Sequence, residues 1–309
     1  MIRFLQHSEI DPEKWNQAVR NSLSPNILVE YELLNLLTGD DTWHALVQGD
    51  YEAVMPLPTR KKGVLKYVYT PFFMTQMGVF SKQPLSPNEI ESFLTAVSKR
   101  FVLADIYLNC HSTPETCKCE VFSHALSLLP SYPELYSNYS KNTKRNIKTA
   151  EKMQCRVSVQ QEKIENIIGL FDRNRGQEGG VHYKEKDYKI LQNVSEHLLN
   201  HKLLDIYSVY TSENELAAGA LFVHDHKRRW FWFSGRENRL SDCKPMFFLM
   251  DAYIRDHAGS NLILDCSTNN PNIARFYHSF GNEAYSYAFV RRFKNRLWEI
   301  LLSPKLSKL

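Results

Sequence analysis

The chain has 309 residues, 43% of them hydrophobic, and a formal charge of +4 at pH 7. That length suits two domains with buried cores, and no uncharged apolar run approaches the roughly 18 residues of a membrane span. The start, MIRFLQHSEIDPEKW, lacks the apolar core of a secretory signal, so a soluble cytoplasmic protein is expected, and the mild charge permits an anionic ligand without demanding one.

In chain order, WHALVQ and YEAVMPLPTR read as strands joined across Gly49-Asp50. MTQMGVFS reads as a third strand. Ser86 then opens a helix, with Pro87 in its first turn and Glu89 three residues past the cap. The helix NEIESFLTAVSKR leads into the strand VLADIYLNC. The cluster CHSTPETCKC, Cys110 to Cys119, matches no standard zinc spacing, so no metal is expected. The six cysteines (110, 117, 119, 155, 243 and 266) do not form a disulfide framework in so long a chain. Cys155 and Cys266 fall in strand-like runs, where a free thiol behaves as a small hydrophobe.

The next stretch, SYPELYSNYSKNTKRNIKTAEKM, has helical periodicity. At about 100° per residue, Leu135, Tyr139, Thr143, Ile147 and Ala150 share one face. Lys141, Lys144, Arg145, Lys148 and Lys152 fall on the opposite face, with no acid in the stripe. Such a stripe is either a solvated outer face or an anion-binding surface. A face built only for stability mixes signs at four-residue spacing, which favours the second reading.

The chain then repeats its plan. LLDIYSVYT, ELAAGALFV and RRWFWFSG read as strands, and the helix PMFFLMDAYIRDH again starts with a proline, Pro245. NLILDCS matches VLADIYLNC. A short helix, NNPNIARFYHSFG, spans Asn269 to Gly281 ahead of a last strand, AYSYAFV. Asn270 or Asn272 caps that helix, and Pro271 fits its first turn. The repeated order suggests duplication of one mixed α/β unit, with boundaries at 1–130, a basic linking helix over 131–153, and a second, catalytic unit over 154–309.

This order of elements resembles the GNAT fold of N-acyltransferases. Together with YSKNTKRNIKTAEK and NIARFYHSFG, it is similar to the Fem-type aminoacyltransferases and their uncharacterised bacterial relatives. The resemblance implies an α/β fold of two tandem GNAT-like (acyl-CoA N-acyltransferase) units, each a mixed, mostly antiparallel sheet flanked by helices. It implies transfer of an acyl group from a carrier thioester such as acetyl-CoA to an amine. The alternatives are aminoacyl-tRNA as donor, or a catalytically inactive GNAT-fold binding protein. The central strand of such a unit parts from its neighbour near a bulge and offers N–H groups to a developing oxyanion. RRWFWFSG matches it, with Phe233 and Ser234 near its end.

Tyr277 matches the tyrosine that the family uses as general acid, and a phenol with an ordinary pKa near 10 keeps its proton at neutral pH. Its bland counterpart is a helix aromatic packed on the sheet. No general base stands out, although Glu237 and Asp265 flank the site. The glycine-rich loop that ordinarily holds the coenzyme A pyrophosphate at a helix start is replaced by GRENRLSDCKP. There Arg236, Arg239 and Lys244 would act by side chain, beside Asn270 and Asn272. Glu178, His182 and Tyr183 lie in the loop where the family binds its acceptor, here a small-molecule, peptide or cell-wall-precursor amine. Lys141, Lys144, Arg145 and Lys148 are the candidate anion or tRNA contacts. The closing Ser307-Lys308-Leu309 spells a peroxisomal address, which is too short a match to weigh and has no reader in a bacterial family.

Overall fold

A computed structural model describes residues 1–39, 42–114, 120–176, 183–268 and 270–306. The chain forms two compact units, Met1–Val121 with Ser286–Leu309, and Phe122–Tyr285.

The first half runs β1 (Ile2–Leu5), α1 (Pro12–Arg20), α2 (Tyr31–Thr38), β2 (Trp43–Gln48), β3 (Ala53–Lys62), β4 (Leu65–Tyr69), β5 (Phe80–Ser81), α3 (Pro87–Arg100), β6 (Leu103–Tyr107) and β7 (Glu120–Ser127). The expected capping box is present: the Glu89 N–H donates to Ser86 Oγ at 3.3 Å and the Ser86 N–H to Glu89 at 2.8 Å. The strand after β3 is LKYVY, and of MTQMGVFS only Phe80–Ser81 is strand, pairing β3 at Val54↔Phe80 and Ala53↔Ser81. Gly63, at a φ of 61°, turns β3 back on β4. The start of that run packs at the end of the parallel pair β4–β6, which is held only at Val68↔Ala104 and Tyr69↔Asp105. Beyond that pair Met77 bridges Leu108 and donates its N–H to the Tyr107 carbonyl at 2.7 Å. Asn109 Nδ2 ties the same segment down through the Met77 and Val79 carbonyls, at 2.9 and 3.0 Å.

The second half runs α4 (Tyr132–Ser137), α5 (Lys141–Lys152), β8 (Arg156–Val159), α6 (Ile164–Phe171), α7 (Glu185–Asn200), β9 (Leu204–Tyr210), β10 (Leu216–His224), β11 (Arg228–Arg236), α8 (Pro245–His257), β12 (Ile263–Ser267), α9 (Pro271–His278), β13 (Glu283–Phe293) and α10 (Arg296–Leu306). The basic segment, expected as one helix, is two. Ser140 accepts the Thr143 N–H at 3.1 Å and so starts a new helix after Tyr139. The expected apolar face survives the break: Leu135, Tyr139, Thr143, Ile147 and Ala150 are all buried.

The two units share one strand order, β1-β2-β3-β4-β6-β13 and β8-β9-β10-β11-β12-β7. Each is antiparallel except for one pair, β4–β6 and β11–β12 respectively. The boundaries differ from the 1–130, 131–153 and 154–309 expected, because each half lends its last strand to the other unit. β7 pairs β12 at Ser127↔Ile263, and β13 pairs β6 at Phe289↔Tyr107. Helix α5 accordingly lies inside the second unit. Among the described residues no helix is long and apolar enough to cross a membrane.

Candidate active site

The site begins with one extra residue. Phe222 pairs Phe231 while Leu221 pairs Phe233, so Trp232 has no opposite number and forms a β-bulge. Leu221 and Phe222 point to opposite faces, and so therefore do Phe231 and Phe233. This accounts for the poor alternation of the run. Phe233 packs on Phe171 of α6, ring centroids 4.9 Å apart. Phe231 turns to the other face, 5.2 Å from Phe222 and 5.9 Å from Tyr277. Past the bulge, Ser234 and Arg236 share the Phe231 face.

The parallel pair β11–β12 is held at Arg228↔Ile263, Arg229↔Leu264 and Trp230↔Asp265, and then ends. From Phe231 onward no described strand pairs that side of β11. The Glu237 N–H donates to the Ala217 carbonyl on β10, at 2.9 Å. Since backbone groups alternate along an antiparallel strand, the N–H groups of Arg236 and Ser234 face away from β10, into the gap.

A cavity of about 410 Å³ fills this gap. Phe231, Ser234, Gly235 and Arg236 of β11 line it, with Leu170 and Phe171 of α6, Met246 of α8, and Ile273, Phe276 and Tyr277 of α9. Asn174, Asn238, Asn270 and Asn272 complete the wall. Tyr277 is 4% exposed and is one of the residues that line this cavity. Helix α9 is started by Asn270, whose Oδ1 accepts from the Asn272 and Ile273 N–H groups at 2.9 and 3.3 Å. It is fixed at its far end by Ser279, which accepts from Thr143 Oγ1 of α5 at 2.7 Å. Phe280, fully buried, packs on Tyr139 at 5.0 Å. The Phe-Gly stop therefore anchors the helix, and the tyrosine three residues earlier meets the cavity.

Of the residues expected at the site, Tyr277, Ser234, Arg236, Asn270 and Asn272 come together. The others do not. Phe233 is on the α6 face. Glu237 and Arg239 line a separate depression, with Arg239 bound to Glu215 at 2.8 Å. Lys244 stands 3.9 Å from exposed Asp242. Asp265 is 1% exposed and locked by an ion pair to Arg228, by Tyr285 Oη at 2.6 Å and by Ser123 Oγ at 2.7 Å, so it is spoken for as a base. Tyr183 packs on Phe171 at 5.7 Å, while Glu178 and His182 lie outside the described residues, as do Cys117, Cys119 and Ser307-Lys308-Leu309. Among the described residues no group of three or more His, Cys, Asp or Glu could hold a metal.

Two features were not anticipated. Asn174, in a π-helical turn after α6, accepts the Asn238 N–H at 3.1 Å and donates to the Leu170 carbonyl at 2.8 Å, joining the end of β11 to α6. The signal was an Asn continuing the Ile167-Leu170-Phe171 stripe at helical spacing. Behind Tyr277 sits buried His124 of β7, 5.9 Å from its ring and 4.6 Å from the His278 ring. Burial, and then His278, hold the His124 imidazole below the ordinary histidine range, so it is neutral at pH 7.

The start of α8 does not fit the pyrophosphate of an acyl-CoA in the usual backbone cradle. Pro245 has no N–H, and the Phe247 and Phe248 N–H groups already donate to the Lys244 carbonyl, at 3.1 and 3.4 Å. On α5, Lys141, Lys144, Arg145, Lys148 and Lys152 line a depression of about 340 Å³. Lys144 Nζ also donates to the Ser137 carbonyl at 2.9 Å, and Arg145 to Asn142 at 2.6 Å. No carboxylate pairs with these five among the described residues.

The fold and the parted strands define the class: this is a protein of two tandem GNAT-like units. The acetyltransferase (GNAT) domain family matches residues 137–263, and no curated protein matches the sequence. In layout the chain is similar to FemX (10% identity, TM-score 0.63, 96% of this chain and 99% of that one). It is also similar to a tandem GNAT protein from the clavulanic acid biosynthesis pathway (8%, 0.52, 96% and 99%) and to L-PGS from Bacillus licheniformis (14%, 0.52, 96% and 96%). At these identities the likeness is one of fold.

Proposed function

We propose that the chain is an N-acyltransferase, descended by duplication of one unit, whose reaction runs in the cavity beside β11. The observation that carries this reading is that β11 and β12 part after Trp230↔Asp265 with Tyr277 in the gap. A neutral primary amine attacks the carbonyl carbon of an acyl ester or thioester, forming the C–N bond. The oxygen gains charge and accepts from a gap-facing N–H of β11, that of Ser234 or of Arg236, which is fixed before the reaction and needs no reorganisation. As the bond to the carrier breaks, Tyr277 gives its proton to the departing oxygen or sulfur, and the proton that the nitrogen sheds in becoming an amide returns through solvent to the phenolate.

A second reading concerns the donor. The α8 start offers phosphate little, whereas α5 presents five cations around one depression, none paired with a carboxylate among the described residues, which favours aminoacyl-tRNA over acyl-CoA. A cytoplasmic location is part of the same reading, since both donors are made there. The acceptor in either case is an amine small or extended enough to enter the cavity.

The test incubates the purified chain and a panel of primary amines with labelled acetyl-CoA or, separately, with labelled aminoacyl-tRNA. Transfer from either donor supports the reading and picks the carrier; transfer from neither leaves an inactive binding protein. With tRNA as donor, Lys144→Glu with Arg145→Glu is expected to cut the rate at least tenfold and flatten its salt dependence.

A further inference from the structure

We propose that the cavity beside β11 takes as its acceptor an apolar α-amino acid, held by its carboxylate on Arg236. The inference rests on the acyl transfer proposed above and names the amine that enters that site. Of the described residues that line the cavity, Arg236 is the only charged one. Its side chain shares a face with Ser234 and Phe231. Its guanidinium has neither an ion pair nor a hydrogen bond among the described residues, whereas Arg239, three residues on, is bound to Glu215 at 2.8 Å. An arginine left free at a cavity wall presents a planar fork of donors matched to a carboxylate, which it grips through two parallel bonds. Asn270 adds a donor to the same lining, since its Oδ1 caps α9 and its NH2 group stays open. The rest of the wall suits an apolar side chain. Met246, Ile273 and Phe276 line it, each half-buried against the core.

The same charge pattern selects the protonation state of the nucleophile. An ammonium entering this space finds no carboxylate among the described residues that line it. It also meets the Arg236 cation and gives up water against apolar walls. All three disfavour the charged form. The amine therefore sheds its proton to solvent on entry and arrives neutral, which accounts for a site with no general base among the described residues. A polyamine fits poorly, because its remaining cations have no counter-ion there. In an α-amino acid the carboxylate ordinarily favours the protonated amine beside it, and pairing that carboxylate with Arg236 cancels the effect. Binding and activation are then one event. The phosphates of a carrier are a weaker match for this arginine, because a pyrophosphate carries more charge than one guanidinium meets and the α8 start adds little.

The experiment titrates the full chain calorimetrically with L-leucine and with two analogues that keep its side chain and amine but not its carboxylate, L-leucinamide and isoamylamine. Leucine is expected to bind about tenfold more tightly than either. Arg236→Gln should remove that preference and Arg236→Lys restore part of it. The melting temperature should not change, since the side chain is exposed and the backbone N–H stays in place. In transfer assays Arg236→Gln should raise KM for leucine and leave KM for the donor as it was. Equal binding of the three compounds, absence of leucine binding, a preference that survives Arg236→Gln, or an effect on the donor alone would overturn the proposal. The reaction itself stands or falls separately. Transfer to all three amines alike would keep it and remove the amino acid. Selective leucine binding with no transfer from either donor would keep the preference and remove the reaction.

Discussion

Tyr277→Phe is expected to lower turnover by about 10²- to 10⁴-fold, the usual contribution of a positioned proton donor, while stability changes by no more than about 1.5 kcal/mol. The substitution removes one hydroxyl and keeps the ring, which packs near Phe231, Phe276 and His124. Cavity shape and the course of α9 are therefore retained. The same variant separates the enzyme from an inactive binding protein, which would hold its ligand as before. Full turnover in Tyr277→Phe, measured on whichever donor the chain accepts, removes the tyrosine from the mechanism.

Gly235→Ala is expected to destabilise the chain by about 3 kcal/mol, a cost set by overpacking, and to lower the melting temperature by several degrees. A methyl group at Gly235 would lie 2.6 Å from the Ile167 carbonyl oxygen and 2.6 Å from the Phe171 nitrogen. Both are backbone atoms of α6 and can yield only if the helix moves. Gly219, its cross-strand partner, is the control. A methyl group there would meet Ile167 Cγ1 at 2.6 Å, a side-chain atom that can rotate away, so Gly219→Ala should cost distinctly less. Displacing α6 also shifts Leu170, Phe171 and Asn174, which wall the cavity. Gly235→Ala should for that reason lose activity even where it remains folded. Equal melting temperatures for the two variants would contradict this account of how α6 docks.

Much of both units was legible because their signals are local. The caps at Ser86 and Asn270, the apolar run ELAAGALFV and the face shared by Leu135 through Ala150 each need only a few neighbouring residues. What resisted reading depends on partners distant in sequence. The exchange of β7 and β13 is set by pairing across more than a hundred residues, which no period reveals. The helix break at Tyr139 hangs on one serine cap inside an otherwise helical pattern. LKYVY was passed over for MTQMGVFS, of which only Phe80–Ser81 is strand while the rest packs at the end of β4–β6. Within the site, the bulge at Trp232 decides which of Phe231 and Phe233 meets the cavity, and four aromatics in a row hide that choice. Glu237, Arg239 and Lys244 were expected at the site by proximity in sequence, yet the turn after Arg236 carries them elsewhere.

Acyl transfer by Ile273→Trp puts the placement of the chemistry to its plainest trial. Ile273 lines the cavity from α9, one helical turn before Tyr277, and an indole there takes up space that the substrates need. The rate should fall at least a hundredfold on the donor the chain accepts, with melting temperature held within a few degrees. Undiminished transfer with the cavity filled would mean that the reaction takes place somewhere else on the molecule.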